Sequence, residues 1–224
     1  MPSSRADPPV PPWQVISPLE VLEEGTHIAV LYSDRAERDA HLIPYLSAAA
    51  RVGKSGVCVA SDAPEDLKHQ VEGLVPGSSD QLEVFGTDTS YLREGKFARA
   101  EMTEWLESFA RAVPVGSADR PSHIAGDINW LSRLDSQDHT ELHTYEASLD
   151  SFASGCRHTF ACFYDASSLP ASSIVGVFRT HRKVVIGGVL WESPFYAGQA
   201  APPASVRPPR DDQPPTAAAT TCPA

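Results

Sequence analysis

The stretch HIAVLYSDRAERDAHLIPYLSAAARVGKSG, residues 27–56, decides the fold class. It starts with a short apolar run, His27–Tyr32, of the kind that forms a strand buried on both faces of a parallel sheet. A turn follows, Tyr32-Ser33-Asp34-Arg35-Ala36-Glu37. Arg35–Val52 then reads as a helix, with Leu42, Ile43, Tyr45, Leu46, Ala49 and Ala50 on its apolar face. Asp34 is placed to cap its start and Gly53 to end it. Strand, sharp turn and helix open many nucleotide-binding domains, which set a glycine-rich phosphate cradle in the turn. This turn contains no glycine.

The alternation continues along the chain. Gly56–Ser61 reads as a second strand and Ala63–Glu72 as a helix capped by Asp62. Leu82–Phe85 reads as a strand and Lys96–Val113 as a long amphipathic helix with Phe97, Met102, Trp105, Leu106 and Phe109 on one side. His123–Asn129 is a strand, Thr140–Phe152 a helix, Thr159–Tyr164 a strand and Leu169–Arg179 a helix. Val184–Val189 closes the series as a strand, with Leu190-Trp191 as its possible continuation. Short apolar strands alternating with helices predict a three-layer α/β sandwich with a mostly parallel central sheet. Ligands of such sheets sit at the carboxyl ends of the strands. That singles out Tyr32-Ser33-Asp34, Ser61-Asp62, Asp127–Trp130 and Tyr164-Asp165.

Proline marks the ends: six of the 20 prolines fall in residues 1–18 and seven in residues 202–224, neither with apolar periodicity. The reading is a flexible proline-rich lead over 1–18, one folded domain over 19–198 and a disordered proline- and alanine-rich tail over 199–224. The formal charge of -11 repels phosphate backbones and anionic lipid, so neither nucleic acid nor a membrane surface is an expected partner. No apolar run reaches the roughly 20 residues that span a bilayer. The first residues lack the apolar core of a secretion signal. Together these place the chain in the cytoplasm, where Cys58, Cys156, Cys162 and Cys222 are expected to be reduced thiols.

The usual catalytic constellations are missing. A P-loop needs glycines, a lysine and a Ser/Thr opening a helix. Gly53-Lys54-Ser55 follows a helix instead. Gly126-Asp127 puts an acid at a strand end, as a P-loop enzyme does to hold Mg²⁺, but without the cradle. His139 and His143 share a helix face in the order HTELH, not HExxH, and no third ligand is identifiable from spacing. That face is expected to be polar and solvated. No G-x-S-x-G elbow occurs, and Cys58 sits mid-strand as a small apolar residue. Neither a catalytic residue nor a metal or other cofactor is expected. Trp130 and Tyr164 stand near strand ends, where aromatics can line a small-molecule pocket or simply pack.

Several segments together resemble a known family: His27 and Leu31-Tyr32, GKFARAEM at 95–102, Arg120 followed by GDINW at 126–130, and Leu142 with Tyr145-Glu146. CFYD at 162–165, RTHR at 179–182 and SPFY at 193–196 complete the series. In order and spacing this is similar to the MEDS domain, a sensory module of methanogen and methylotroph signalling proteins and of a dichloromethane-responsive repressor. The likeness covers about residues 20–197. It implies a RecA/KaiC-like core that has lost its nucleotide cradle and a sensor for small hydrocarbon derivatives. The family's common residues map to His27, Tyr32, Arg120, Trp130, Tyr145, Glu146, Tyr164, Asp165, His181, Phe195 and Tyr196, and the resemblance implies all but the last two as ligand-site residues. Asp127 joins them from its strand-end position.

This chain has Asp127-Ile128 where the family usually has Glu-Met, His181-Arg182 where it has His-Pro, and Ser193 where it has Asn. The expected function is a non-catalytic sensor that acts through a separate signalling protein: a kinase, an anti-sigma-type regulator or a transcription factor. The alternatives are a ligand-free interaction scaffold built on a nucleotide-binding fold, and a residual nucleotide- or metal-dependent hydrolase. For Arg120 and Glu146 the plain alternative to a ligand role is a buried ion pair.

Overall fold

The computed structural model describes residues 17–60, 64–112 and 122–197. The expected cap Asp62, the Ser61-Asp62 strand end, Arg120 and Cys222 lie outside them. So do most of the proline-rich lead and the whole C-terminal tail.

A seven-stranded sheet carries the fold, in the order β3-β2-β6-β7-β1-β8-β9. Its strands are β1 His27–Tyr32, β2 Gly56–Ala60, β3 Leu82–Gly86, β6 His123–Asp127, β7 Thr159–Asp165, β8 Lys183–Ile186 and β9 Val189–Glu192. β1 lies between β7 and β8 and is buried along its whole length, as its apolar run predicts. Every pairing is parallel except that of β8 with β9. Helices α1 Arg35–Arg51 and α2 Pro64–Leu74 cover one face, while α3 Arg99–Ala112, α4 Ser136–Ser154 and α5 Ala171–Thr180 serve the other. The expected three-layer α/β sandwich is therefore observed.

Alternation along β1 divides its side chains between two cores. Ile28, Val30 and Tyr32 pack toward α1 and α2, and Ala29 and Leu31 toward α3, α4 and α5. α1 begins as its sequence predicts: the Asp34 carboxylate accepts the Glu37 N–H at 2.9 Å. It ends with Gly53 at φ +70°, a left-handed position that favours glycine.

Four local expectations need correction. Val184–Val189 is not one strand, because Gly187 and Gly188 at φ +55° and +75° form a tight turn that folds β9 back on β8. The 96–113 helix starts at Arg99, because Glu94-Gly95 at φ +50° and +78° closes a small hairpin, β4 Leu92–Arg93 with β5 Lys96–Phe97. α4 starts a turn early, because Asp135 accepts the N–H groups of Gln137 and Asp138 and so caps it there. Ser17 and Pro18 belong to the folded unit: the Ser17 hydroxyl meets His41 Nδ1 at 3.0 Å, and Leu19 beyond them is fully buried.

Candidate functional site: a buried His–Glu–Cys centre

The most concentrated polar chemistry among the described residues lies between the sheet and helices α4 and α5. Glu146, on the inner face of α4, is fully buried. One of its oxygens, Oε2, has three neighbours. His27 Nε2 lies at 3.0 Å, the Cys162 thiol donates at 3.4 Å, and His181 Nε2 lies at 3.4 Å. Cys162 Sγ is also 3.5 Å from His27 Nε2. The other carboxylate oxygen, Oε1, has no hydrogen-bond partner.

Each ligand is placed by a separate element. His27 is the first residue of β1. Cys162 lies in β7, level with Ala29 and on the same face of the sheet as Tyr164. His181 caps the C-terminus of α5. Its Nδ1 is 3.0 Å from both the Val177 carbonyl and the Thr180 hydroxyl oxygen; the carbonyl can only accept, and the Thr180 hydroxyl donates to the Gly176 and Val177 carbonyls, so Nδ1 carries the proton. Nε2 is then left to face the carboxylate.

Burial opposes charge on all these groups, and the partners decide which way each shifts. Against burial, His181 and His27 hold the Glu146 carboxyl far below its usual range. Against burial, Asp150 and Glu146 raise the His27 pKa. For His181, burial and the neighbouring His27 charge together lower it. Burial and Glu146 push the Cys162 thiol well up. The Tyr164 hydroxyl has no well-oriented hydrogen bond, and burial and Glu146 raise its pKa as well.

The centre continues toward the C-terminal segment. His27 Nδ1 faces Asp150 Oδ1 at 3.6 Å, and the Tyr196 hydroxyl donates to Asp150 Oδ2. The Arg182 guanidinium lies 4.9 Å over the Tyr196 ring.

His27, Glu146, Tyr164 and His181 thus meet in one place. Tyr164 lies near the carboxyl end of β7 as expected, but the expectation of a site at the carboxyl ends of the strands is corrected for His27, which opens β1, and for His181, which precedes β8. Tyr32 and Asp127 lie on the opposite face. There the Tyr32 hydroxyl donates to Asp127 Oδ1 at 3.1 Å, and Arg38 of α1 donates to Oδ2 at 2.6 Å. Trp130 and Tyr145 are core aromatics stacked around Phe97, and Trp130 Nε1 has no partner. Asp165 closes a surface turn by accepting from Ser167 N–H and Oγ. Arg120 lies outside the described residues; the two histidines and Cys162 surround Glu146 Oε2.

Cys162 and Arg38 are site residues that the sequence reading missed. Cys162 stands two residues before Tyr164, on the same strand face, and that period was the available signal. Arg38 carried none, because a helical arginine next to Asp39 reads as surface. The HTELH face is also corrected. His139 reaches Ser173 and the Leu131 carbonyl, and a Cβ on Gly176 would lie 2.3 Å from His143 Nε2. That face packs on α5 and is not solvated.

Beside Cys162, the space between α3 and the sheet narrows to an apolar slit holding about 10 Å³, lined by Met102, Trp105, Leu106, Ile124, Phe160 and Cys162 among others. A larger hollow of about 560 Å³ opens at the surface where α3 and α4 begin, and none of the expected site residues lines it.

Fold and centre together define a three-layer α/β domain with a buried polar centre. The family model described as MEDS, the MEthanogen/methylotroph, DcmR Sensory domain, matches residues 26–182, and the chain belongs to that family. Comparison with the curated proteins gives no match. Among solved structures the chain is similar to a KaiC-like protein from the hyperthermophilic archaeon Pyrococcus horikoshii. Identity is 13%, the TM-score is 0.49, and 72% of this chain and 71% of that one are covered. It is also similar to the flagellar accessory protein FlaH from Methanocaldococcus jannaschii, with 11% identity, a TM-score of 0.46, and 75% of this chain and 76% of that one covered. No helix among the described residues is long and apolar enough to cross a membrane.

Proposed function

We propose that this chain is a non-catalytic sensor that admits a small, largely apolar organic molecule between α3 and the sheet and signals to a separate protein. The observation that carries this reading is the slit behind Cys162. Its walls are apolar and its inner end touches the Glu146 centre, which suits a compact hydrocarbon derivative with one polar or halogen substituent.

The slit, at about 10 Å³, has room for one water at most. Entry therefore requires the Met102 or Trp105 side chain to move, and α3 with it. A ligand that binds only the opened arrangement shifts the balance toward it. Membership of a sensory-domain family supports this reading.

Two further features agree with it. Asp127, the acid a nucleotide hydrolase would turn toward Mg²⁺, is already paired with Arg38 and Tyr32, which supports the absence of nucleotide chemistry. The contacts from His27 through Asp150 to Tyr196 lead from the centre to the segment after β9, where Phe195 is exposed, as is Trp191 within β9. That surface suits contact with a kinase, an anti-sigma-type regulator or a transcription factor in the cytoplasm.

The closed slit favours a second reading, a ligand-free scaffold. Dichloromethane and 2-propanol, titrated separately into the full chain, distinguish the two. A sensor shows a saturable rise in melting temperature with at least one of them and a change in tryptophan fluorescence that Trp105→Phe removes. Flat responses to both would contradict the sensor and leave the scaffold.

A further inference from the structure

We propose that His27 Nε2, Glu146 Oε2, Cys162 Sγ and His181 Nε2 hold one divalent transition-metal ion of the zinc type. The inference stands whether or not a ligand enters the slit.

The geometry is the first argument. All four donor atoms lie within 4.8 Å of one another, and all four residues are buried. Four of the six donor–donor separations are 3.0, 3.4, 3.4 and 3.5 Å. A tetrahedral ion with bonds of about 2.0–2.3 Å sets its ligands roughly 3.3–3.7 Å apart. Four of the six edges of such a tetrahedron are therefore already close to length, and the two from His181 to His27 and to Cys162 are no longer than 4.8 Å.

Hydrogen bonding is the second. With the His181 Nδ1 proton committed to Val177, Nε2 presents a lone pair to a carboxylate oxygen 3.4 Å away. Two acceptors facing each other in a dry interior are unfavourable, and His181 Nε2 has no hydrogen-bond partner. A proton between His27 and Glu146 satisfies one edge of the cluster. One cation satisfies every edge.

The outer contacts are the third. Metal-bound histidines characteristically direct their other nitrogen to a carboxylate or a backbone carbonyl. His27 Nδ1 faces Asp150, which the Tyr196 hydroxyl holds in place, and His181 Nδ1 meets Val177 O.

Charge is the fourth. A thiolate, a carboxylate, two neutral imidazoles and a divalent cation sum to zero, the only total a fully buried centre carries cheaply. On binding, the Cys162 thiol gives up its proton, as does His27 where protonated, and both leave to solvent. The mixed nitrogen, sulfur and oxygen set suits a borderline cation, not Mg²⁺ or Ca²⁺. The ion would join the start of β1, α4, β7 and the α5–β8 junction.

The test is metal analysis of the full chain, followed by chelation and titration with Co²⁺ under a non-coordinating reductant. The expected result is about one equivalent of metal as purified, and about one of Co²⁺ on titration, with a thiolate-to-cobalt charge-transfer band and tetrahedral visible bands. Zn²⁺ should displace the cobalt spectrum. Cys162→Ser should abolish the charge-transfer band, while Cys58→Ala and Cys156→Ala should keep it. Glu146→Gln, close in shape, should weaken affinity by about 10-fold or more.

Less than about a tenth of an equivalent both as purified and after titration would overturn the proposal, independently of how any variant folds. So would a charge-transfer band that persists in Cys162→Ser.

Discussion

His27 and Glu146 lie 119 residues apart in the chain and 3.0 Å apart in the fold, with both side chains sealed from solvent. Their contact ties the first strand to the helix that covers the sheet, and Cys162 and His181 close around it. A charge buried this deeply is tolerable only with its partners in place.

Glu146→Leu should therefore cost about 3–5 kcal/mol of stability, since it leaves the buried His27 ring without its acceptor. Urea unfolding at pH 7 followed by circular dichroism measures it. A loss under about 1 kcal/mol would mean that the centre contributes little to holding α4 on the sheet.

On the other face, Arg38 and Asp127 form a second buried pair at 2.6 Å. Arg38→Ala leaves a carboxylate at 0% exposure without its guanidinium partner. A loss of about 3 kcal/mol or more is expected. Asp127→Ala in the same chain should restore part of it, giving a coupling energy of about 1 kcal/mol or more in a double-mutant cycle. Additive losses would show that the pair is not energetically linked.

Gly126 is dictated by a neighbour, not by its backbone angles. A Cβ there would lie 2.2 Å from the Tyr91 hydroxyl oxygen and 3.3 Å from Cζ. Tyr91 is itself 3% exposed and has little room to retreat. Gly126→Ala should cost about 1–3 kcal/mol by overpacking. Adding Tyr91→Phe removes the nearest atom and should recover most of the loss in thermal unfolding. A double variant no more stable than Gly126→Ala would place the clash elsewhere.

Three half-buried or buried histidines away from the Glu146 centre make the fold sensitive to acid. Burial lowers the pKa of His41, His123 and His158. Lys54 adds to the effect at His123, while Glu37 and Glu24 oppose it at His41 and His158. The unfolded chain therefore binds more protons than the folded one below about pH 6.5, and stability falls as pH drops through that point. Unfolding free energies at pH 7.5 and 5.5 measure the slope, and His123→Gln should make it shallower. An unchanged slope would mean that His123 does not carry its share.

The layers of the fold were legible because each strand is a short apolar run and α1 is bracketed by Asp34 and Gly53. Where turns depend on paired residues, the reading failed. Gly187-Gly188 and Glu94-Gly95 each reverse the chain through two left-handed residues; an apolar run continuing past the glycines hid the first hairpin, and Lys96-Phe97 read as the start of the next helix hid the second. His27, Glu146 and His181 stood out only through the family likeness, and Tyr164 also through its place near a strand end, since nothing local marks four residues from four elements as neighbours. Cys162 read as core, because a cysteine in TFACFY has the same local pattern whether it packs or binds. Its contacts exist only once β7 lies beside β1 with α4 across both.

The central claim is that α3 moves when a small molecule enters the slit beside Cys162. Amide hydrogen exchange along Arg99–Ala112, with and without dichloromethane, tests it most directly. The account predicts a saturable change in protection in α3, centred on Met102–Leu106, with β2 and β7 unchanged. Identical exchange along α3 at saturating dichloromethane, or a change spread evenly over the whole chain, would contradict it.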